Sequence, residues 1–561
     1  MSSTPAATYA RPHYAGGVAA TIPTPTGDLG QVLEGAAKWY PERVAIDFLG
    51  ETTTYAEMTA QVAKAAEVLR RAGVGHGDVV AVCLPNCPQH AVVFYAITRL
   101  GAIVAEHNPL APAAQLRAQL AAHGARVVIA WENAADALAG HDDSLTLFTV
   151  NLAAALPWSK QLGLKLPVAK ARKLRRKMRS RVPAHARSWE QELARATGLA
   201  PSHPRPAVQD VAVLLHTGGT TGTPKAVMLT HYNLLANVSQ ACQWVPHLHE
   251  GAEVFLTVLP FFHAFGLTFN LLCAVNFAST QLMFPTFDLG LILPAFARRT
   301  PTFCVAVPVV FERLLQAAHK AGVDLTSIHT AISGAMALPT ELAQEWEKAT
   351  GGIIVAGYGM TETSPIVAGS PLTEERRPEA LGLPFAATDV RVVDPQGNDV
   401  PPGEPGELLI RGPQVCKGYW KNPTATAELI DADGWLHTGD IVRDEDGFLV
   451  MADRARDLIL VGGFNVYPTA VEAVLSRAPG VQEVAVVGVQ SGGNEVVVAV
   501  VVPKEGHSVS LRALQDFGAN ELPRYSLPHR LELTDSIPRN EIGKVLRRQV
   551  REFLAQLPSK K

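Results

Sequence analysis

The sequence has few cysteines, no long apolar stretch and no excess of charge of one sign, and each shortage excludes a class of protein. The six cysteines are scattered and only Cys83 and Cys87 lie close together, so neither a disulfide framework nor a cysteine metal site is expected. No apolar run reaches the ~20 residues that a membrane-spanning helix requires. A net charge of −3 argues against a nucleic-acid partner. No signal peptide is apparent in residues 1–26, and the predicted location is the cytoplasm.

The most informative segment runs from Thr217 to Lys225 and reads TGGTTGTPK. It holds three glycines, four threonines and a lysine directly after an apolar, strand-like run, Val211 to Leu215. Glycines let backbone N–H groups approach anionic oxygens, threonine hydroxyls add donors and the lysine adds a positive charge, so the pattern predicts a cradle for phosphate groups. It is not a Walker A loop, because Thr223 and Pro224 separate Gly222 from Lys225. A Gly/Thr-rich surface turn is the alternative, and a nucleoside triphosphate or its pyrophosphate end is the expected ligand.

Six further motifs follow this loop in order. They are FFHAFG (261–266), SGAMALP (333–339), GYGMTET (357–363), HTGD (437–440), DRARDLILVGGFNVYP (453–468) and PRNEIGK (538–544). Together with TGGTTGTPKAVMLTH, this ordered set resembles the adenylate-forming superfamily, which includes acyl-CoA synthetases, nonribosomal peptide adenylation domains and beetle luciferases. The resemblance covers nearly the whole chain and is strongest for long-chain fatty acid:CoA ligases.

Alternating helix-period and strand-like segments indicate an α/β fold. Tyr55 to Ala72 is predicted to be a helix, Val79 to Leu84 a strand and Pro88 to Leu100 a helix again, so parallel sheets covered by helices are expected. From Thr388 to Val450, short β-like runs and Asp-Gly turns predict a β-rich subdomain. The final segment, about 100 residues long, has a helix–strand–strand–helix–helix pattern typical of a small α+β domain.

The resemblance implies two domains that move relative to each other. It gives an N-terminal adenylate-forming domain, binding the acyl group and ATP, over residues 1–453 and a mobile C-terminal domain over residues 458–561. Residues 454–457 form the hinge, with Arg456 at the family's hinge position. In the family the small domain swings between two poses over the active site.

The resemblance also implies how the triphosphate is held. Thr361 is expected to contact the α-phosphate of ATP, and Glu362 is expected to ligate Mg²⁺, a hard cation that takes few protein carboxylates. The β- and γ-phosphates are expected to bind Thr217, Gly218, Gly219, Thr220, Thr221, Gly222 and Lys225. Outside its motif, Glu362 would more simply be a solvated carboxylate in a turn.

The nucleoside is expected to be bound by residues of four of these motifs. Tyr358 is expected to stack on one face of the adenine, because a flat aromatic surface suits a purine. The other face is expected to be lined by Ser333, Gly334 and Ala335. Asp440 is expected to accept the ribose hydroxyls, assisted by Arg454, although an Asp-Arg surface pair is the simpler interpretation of these two residues alone.

Four further residues are expected to act in catalysis or in thiol entry. Lys544 is predicted to catalyse adenylate formation, since a mobile ammonium can bridge the carboxylate and α-phosphate oxygens as charge develops. The Asn-Glu-Ile of residues 540–542 departs from the small, hydroxyl-rich residues that the family commonly has there. Gly462 and Gly463 match the loop that lines the pantetheine tunnel, and His263 matches the histidine at the carboxylate end of the acyl pocket. As an isolated histidine among aromatics, His263 would be a core residue.

Two segments bear on the substrate. Residues 157–182 mix basic and apolar side chains with no acid, which fits a patch on anionic lipid, and long-chain fatty acid:CoA ligases carry a similar basic insertion. A solvated basic face or an RNA-like patch is the alternative. The apolar stretches 261–272 and 305–311 fit either an acyl tunnel or the core. No acid is placed to pair with a substrate amine, which disfavours amino acids.

The sequence therefore predicts an ATP-dependent ligase that activates a medium- or long-chain fatty acid as acyl-AMP and transfers the acyl group to the thiol of CoA, with release of AMP and pyrophosphate. Its expected cofactors are ATP, Mg²⁺ and CoA. Its expected partners are the fatty acid, an anionic membrane surface at the cytoplasmic side and a second copy in a homodimer. The alternatives are an acyl-AMP ligase that loads a carrier protein, an aryl or steroid acid CoA ligase and, in a different class, a non-catalytic lipid-binding homologue.

Overall fold

The computed structural model of the chain describes residues 13–14, 16–138, 145–217, 225–454, 457–461, 464–491, 494–540 and 543–557. These residues form two compact units. The N-terminal unit contains the residues up to Asp389 together with Arg411–Gly434, and the C-terminal unit contains Val390–Ile410 together with the residues from Trp435 onward. The predicted hinge position Arg456 lies outside the described residues, and the predicted boundary at 454–457 stays a prediction.

The α-helices of the described residues are numbered in chain order. They are α1 (Leu29–Trp39), α2 (Tyr55–Arg71), α3 (Pro88–Arg99), α4 (Ala113–His123), α5 (Glu132–Leu138), α6 (Trp158–Lys165), α7 (Ala169–Met178), α8 (Trp189–Arg195), α9 (His231–Trp244), α10 (Ala264–Gly266), α11 (Ala274–Asn276), α12 (Leu289–Phe296), α13 (Pro308–Ala321), α14 (Thr340–Thr350), α15 (Pro423–Leu429), α16 (Pro468–Leu475), α17 (Leu511–Gly518) and α18 (Arg547–Gln556). A π-helix covers Leu267–Cys273, and short 3₁₀-helices include Leu152–Ala155, Thr361–Thr363 and Arg524–Ser526. None of the helices in the described part of the chain is both long and apolar enough to cross a lipid bilayer.

The strands are numbered in the same way. They are β1 (Val44–Phe48), β2 (Glu51–Thr54), β3 (Val79–Cys83), β4 (Ile103–Glu106), β5 (Val127–Trp131), β6 (Thr146–Val150), β7 (Arg187–Ser188), β8 (Val211–His216), β9 (Ala226–Thr230), β10 (Val254–Thr257), β11 (Thr280–Met283), β12 (Phe303–Ala306), β13 (Thr330–Ser333), β14 (Ile353–Gly359), β15 (Ile366–Gly369), β16 (Leu383–Pro384), β17 (Asp389–Val393), β18 (Gly406–Arg411), β19 (Gly418–Tyr419), β20 (Leu436–Glu445), β21 (Phe448–Arg454), β22 (Ile459–Val461), β23 (Phe464–Val466), β24 (Val481–Ser491), β25 (Asn494–Pro503) and β26 (Arg530–Leu533).

Two large sheets form the framework of the N-terminal unit. One has the strand order β16-β15-β14-β13-β12-β10-β11-β1-β2, and the other has the order β19-β9-β8-β4-β3-β5-β6-β7. The strands from β14 to β1 in the first sheet and from β8 to β7 in the second are parallel, whereas the edge strands are antiparallel. Buried parallel strands separated in sequence by helices confirm the predicted α/β class.

The predicted elements of the N-terminal unit match the observed ones closely. The predicted helix from Tyr55 corresponds to α2, which begins with a capping box: the Thr54 hydroxyl accepts the Glu57 N–H and the Glu57 carboxylate accepts the Thr54 N–H. The predicted strand from Val79 is β3, and the predicted helix from Pro88 is α3. The predicted ends are one residue too long in each case, because local pattern fixes helix and strand ends poorly.

The C-terminal unit contains two parts of the predicted β-rich segment, residues 390–410 and 435–450, together with the small α+β domain. Its four-stranded sheet has the order β17-β18-β20-β21, and a three-stranded sheet has the order β24-β25-β26. Alternate residues of β24 and β25 join two different cores: Val486, Val497 and Val501 pack with α16 and α17, whereas Val487 and Val498 pack with α18. The two strands read as nearly unbroken valine runs because both faces of this sheet are covered.

The cysteines are free thiols in this structure. Cys83, Cys87, Cys273, Cys304 and Cys416 are buried, as expected for small apolar residues, whereas Cys242 is only half-buried. Burial raises the pKa of the Cys83 and Cys87 thiols to about 12, which disfavours the reactive thiolate.

Asp47 of β1 is a fully buried carboxylate held by two arginines. Arg298 donates from Nη2 to Asp47 Oδ1 at 2.8 Å, and Arg299 donates from Nε to Oδ2 at 3.0 Å. Burial alone would raise the pKa of Asp47, but the hydrogen bonds from Arg298 and Arg299 outweigh burial, and the pKa lies below its ordinary value.

We expect Asp47→Asn to lower the free energy of unfolding by about 2 kcal/mol at pH 7, because it removes a charge that two arginines bind. Since the folded-state pKa of Asp47 is depressed, its contribution is present above the unfolded-state pKa and is lost as the pH falls through the folded-state pKa. The difference between wild type and variant in urea denaturation should therefore shrink below a pH of about 4. Asp399→Asn is the matched control, because Asp399 is an exposed partner of Arg391. A difference for Asp47→Asn that grows toward acid pH would contradict this expectation.

Candidate active site

The base of the predicted phosphate loop is a hairpin between β8 and β9. These strands are antiparallel, with His216 opposite Ala226, and the Thr217 N–H donates to the Lys225 carbonyl at 3.0 Å. The loop residues Gly218, Gly219, Thr220, Thr221 and Gly222 lie outside the described residues. The structure therefore fixes where the loop begins and ends, and Thr217 and Lys225 are both partly exposed there.

Lys225 is connected to Glu362 through Tyr419. The Lys225 ammonium lies 4.8 Å from the centroid of the Tyr419 ring, a cation–π distance. The Tyr419 hydroxyl donates to Glu362 Oε1 at 2.8 Å. Tyr419 reaches this position because β19 pairs with β9, which follows the phosphate loop. Burial and the neighbouring Glu362 carboxylate raise the pKa of Tyr419 far above its ordinary value, so the tyrosine remains a hydrogen-bond donor.

Glu362 lies in the short 3₁₀-helix that follows β14. Its side chain is buried, whereas its neighbour Thr361 is partly exposed. The Glu362 carbonyl accepts the Cys416 N–H at 2.8 Å, and the next turn is fixed where Thr268 Oγ1 donates to the Ser364 carbonyl at 2.6 Å. The segment around Cys416 and Tyr419 thus holds both the backbone and the carboxylate of Glu362, and Thr268 holds the following turn, which is the kind of support that positions a functional group.

The predicted adenine-binding residues end two neighbouring parallel strands. Ser333 is the last residue of β13 and lies opposite Ala356 of β14, so it and Tyr358 share the carboxyl edge of the sheet where ligands of α/β proteins bind. Tyr358 is nearly buried. The Ser333 hydroxyl is buried and has no hydrogen-bond partner among the described residues, which fits a polar group that pairs with a bound ligand.

Gly334 and Ala335 continue from Ser333, and each has a specific backbone requirement. A Cβ placed on Gly334 would lie 2.8 Å from Cζ of Phe265, so this glycine permits close packing of an aromatic ring. Ala335 is exposed and has a φ of 65°, a backbone conformation that residues other than glycine adopt at some energetic cost. The three residues are brought beside the FFHAFG motif, which the sequence alone did not indicate.

His263 lies at the start of α10. Its Nδ1 accepts the Phe265 N–H at 3.3 Å, so the proton of the neutral ring is on Nε2. Burial lowers the pKa of His263 to about 4, which makes a neutral donor the form present at pH 7. A Cβ on Gly266 would lie 2.2 Å from the Pro260 carbonyl oxygen, which explains the glycine of the motif. The π-helix Leu267–Cys273 follows directly; π-helical turns are frequent at functional sites.

Asn86 holds the segment that connects β10 to His263, and no local sequence pattern predicts this contact. Its Oδ1 accepts the Phe261 N–H at 2.9 Å and its Nδ2 donates to the Leu259 carbonyl at 2.8 Å. Phe265 and Phe269, which follow His263 in sequence, are buried and make an edge-to-face contact with each other. The same side chains are compatible with the core and with the wall of an acyl pocket.

The remaining predicted site residues belong to the C-terminal unit. Asp440 of β20 is buried and lies opposite Arg454 of β21 in the strand register, and the Arg454 side chain is outside the described part of the structure. Gly462 and Gly463 are also outside it. Lys544 lies in a tight turn in which its N–H donates to Asn540 Oδ1 at 2.8 Å and its carbonyl accepts the Asn540 N–H at 2.9 Å.

The comparison with known families agrees with this arrangement. The sequence matches the family model described as AMP-binding enzyme over residues 33–420 and the model described as AMP-binding enzyme C-terminal domain over residues 470–544. The first match alone covers more than half of the chain, so the protein belongs to the AMP-binding enzyme family. The family recognised from the seven motifs is thereby confirmed.

Individual relatives are similar over nearly their full lengths. The long-chain-fatty-acid–CoA ligase of Bacillus subtilis (strain 168) is 34% identical over 95% of each chain. The long-chain-fatty-acid–CoA ligase of Escherichia coli O6:H1 (strain CFT073) is 36% identical over 93% of each chain. Among solved structures, ATP-bound MatB from Rhodopseudomonas palustris has a TM-score of 0.81 at 27% identity, covering 94% of this chain and 99% of that chain.

Proposed function

We propose that this protein is an ATP-dependent acyl-CoA synthetase that activates a long-chain fatty acid, with medium chains also accepted. The observation that carries the proposal is the connection of Lys225 to Glu362 through Tyr419, because it joins the lysine of a phosphate loop to a buried carboxylate. Similarity to ligases named for long-chain fatty acids supports the acyl class.

The residues fit ATP and Mg²⁺. The buried Ser333 hydroxyl, which has no hydrogen-bond partner among the described residues, and the nearly buried Tyr358 suit an adenosine at the edge of the sheet. The ribose hydroxyls are assigned to Asp440, whose carboxylate can accept both. Glu362 supplies the hard oxygen that Mg²⁺ prefers, beside the end of a loop suited to phosphates. When bound, Mg²⁺ neutralises phosphate charge.

The proposed reaction proceeds in two nucleophilic displacement steps. A carboxylate oxygen of the fatty acid attacks the α-phosphorus of ATP, and the bond to the bridging oxygen breaks with release of pyrophosphate. The CoA thiol loses its proton to solvent, its sulfur then attacks the acyl carbonyl carbon, and AMP leaves. In the first step we assign Lys225 to the terminal phosphates, Thr361 and Lys544 to oxygens around the α-phosphorus, and His263 to the acyl carboxylate as a neutral donor. Gly462 and Gly463 are assigned to the passage of the thiol arm, because glycine has no side chain.

A panel of carboxylic acids tests this function. Purified full-length protein is expected to catalyse fatty-acid-dependent exchange of pyrophosphate into ATP without CoA, and to release AMP continuously only with CoA. Thioester formed on a phosphopantetheine carrier protein but not on CoA would instead indicate a carrier-loading ligase. A preference for aryl or steroid acids would change the substrate class, and no exchange with any acid would indicate a non-catalytic homologue. Sedimentation of the same sample tests the predicted homodimer.

We also propose that residues 157–182 bind an anionic membrane surface. Helices α6 and α7 expose large apolar side chains between basic ones: Trp158 is 75% exposed, Leu162 52% and Leu166 54%. Trp158 and Leu162 are four residues apart and therefore share one face of α6. Arg179 plays a different part, because it makes two hydrogen bonds to the Glu132 carboxylate and so anchors the end of the segment to α5.

We expect Arg172→Gln with Arg176→Gln to weaken binding to vesicles that contain phosphatidylglycerol by roughly thirtyfold, because each basic residue near an anionic surface contributes about 1 kcal/mol. Trp158→Ser with Leu162→Ser should weaken binding to vesicles with or without the anionic lipid, because apolar insertion does not depend on lipid charge. Trp39→Ser is the matched control, since Trp39 is 72% exposed on α1. If neither double variant changed vesicle flotation, the proposal that residues 157–182 bind a membrane surface would be refuted.

A further inference from the structure

Three histidines form a cluster that the nucleotide chemistry does not use. His107 directly follows β4, His123 is the last residue of α4 and His216 is the last residue of β8. The strands β4 and β8 are neighbours in the sheet, so His107 and His216 leave it side by side. One ring nitrogen of each histidine lies within 4.8 Å of the corresponding nitrogens of the other two.

Hydrogen bonds at Nδ1 orient the rings of His107 and His216 in the way that is usual for histidines that bind a metal through Nε2. His107 donates from Nδ1 to Gln119 Oε1 at 2.9 Å, and His216 donates from Nδ1 to the Glu106 carbonyl at 3.1 Å. Both rings therefore carry a lone pair on Nε2. An oxygen that accepts the Nδ1 proton of a histidine is the usual support of an Nε2 metal ligand. The Nε2 of His216 is buried and has no hydrogen-bond partner within the described chain.

We propose that His107, His123 and His216 bind a divalent transition-metal ion such as Zn²⁺ through their Nε2 atoms. Three imidazoles form an established zinc ligand set, and a tetrahedral Zn²⁺ at about 2.0 Å from each nitrogen holds its ligands roughly 3.3 Å apart. The Nε2 atoms of His107 and His123 are already 3.0 Å apart. The Nε2 of His216 lies within 4.8 Å of both, so ligation requires it to move closer to them.

His123 changes its proton position when the ion binds. Its Nδ1 accepts the Ala125 N–H at 3.2 Å, so the ring proton is on Nε2 and is donated to His107 Nε2. Ligation moves this proton to Nδ1 and gives up the bond from Ala125, with no net loss of a proton from the ring.

Lys421 lies close to the proposed site. Its ammonium is near Gly124, the residue after His123, so it would repel a bound cation. An anion such as hydroxide or phosphate as the fourth ligand offsets that repulsion. His216 directly precedes Thr217, so a bound ion would stabilise the end of β8, where the phosphate loop begins.

A zinc competition titration tests the site without any activity assay. Full-length protein without a histidine tag, first treated with a chelator, is expected to take up one Zn²⁺ per chain with a dissociation constant below about 1 μM. His107→Gln, His123→Gln and His216→Gln should each weaken binding by about 100-fold or more, and Gln119→Ala by about tenfold. His319→Gln, an exposed histidine on α13, is the control and should have no effect.

Co²⁺ provides the second measurement and does not depend on the variants. In the wild type it is expected to give the visible absorption of a four-coordinate ion without the charge-transfer band of a thiolate ligand. Weak Zn²⁺ binding by the wild type, a six-coordinate Co²⁺ spectrum or affinities unchanged in the three histidine variants would each overturn the proposal. Since no step of this test uses ATP or a fatty acid, its failure leaves the proposed ligase activity unaffected.

Discussion

Lys544→Ala is expected to lower fatty-acid-dependent ATP–pyrophosphate exchange by roughly 10²- to 10³-fold, the effect typical of removing one donor that stabilises charge in a transition state. The rate of thioester formation from supplied acyl-AMP and CoA should stay within a few-fold of wild type, because that step makes no new charge at the α-phosphate. The two hydrogen bonds between Asn540 and the backbone N–H and carbonyl of residue 544 do not involve the substituted side chain, so both should be retained in the variant. Comparing the two half-reactions therefore separates the role of the ammonium from any effect on folding.

Lys504→Ala is the matched control for this prediction. Lys504 is an exposed lysine of the same unit, directly after β25, and its removal should leave both half-reactions unchanged. Equal losses in adenylate and thioester formation for Lys544→Ala would contradict the assigned role. A loss confined to thioester formation would assign Lys544 to the second half-reaction instead of the first.

Local pattern was sufficient to predict the elements that carry the site. The capping box at Thr54 and Glu57, the apolar run of β3 and the valine runs of β24 and β25 each specify their structure within a few residues of sequence. Motif order then identified the family and brought Ser333, Tyr358 and Glu362 to notice. Their common location follows from a general rule, because parallel strands present their carboxyl ends at one edge of a sheet.

Contacts between distant segments could not be predicted in this way. Tyr419 follows Glu362 by 57 residues and Lys225 by far more, and its position depends on the pairing of the two-residue strand β19 with β9. No periodicity or motif marks so short a strand. The histidine cluster was missed for the same reason: His107, His123 and His216 come from two strands and a helix, with none of the close spacings that metal motifs show in sequence.

The largest effect expected from a single atom change is that of Glu362→Gln, because the substitution keeps the shape of the side chain and removes its charge. The Gln oxygen can still accept the Tyr419 hydroxyl, so the local structure should be retained. We expect kcat/KM for the fatty acid to fall by roughly 10²- to 10³-fold and the Mg²⁺ concentration at half-maximal rate to rise, because a neutral amide is a poorer ligand than a carboxylate. The measurement is a Mg²⁺ titration of initial rates for wild type and variant at fixed ATP.

Tyr419→Phe supplies the complementary test, since it keeps the charge of Glu362 and removes the hydrogen bond that orients it. A hydrogen bond to a charged group is worth about 1.5–3 kcal/mol, so a loss of roughly tenfold to 100-fold in kcat/KM is the expected result, with a smaller change in Mg²⁺ dependence than for Glu362→Gln. The double variant should be less than additively impaired, because the tyrosine acts through the carboxylate. An unchanged Mg²⁺ dependence in Glu362→Gln would show that Glu362 does not bind the metal. Strictly additive losses in the double variant would show that Tyr419 has a role separate from Glu362.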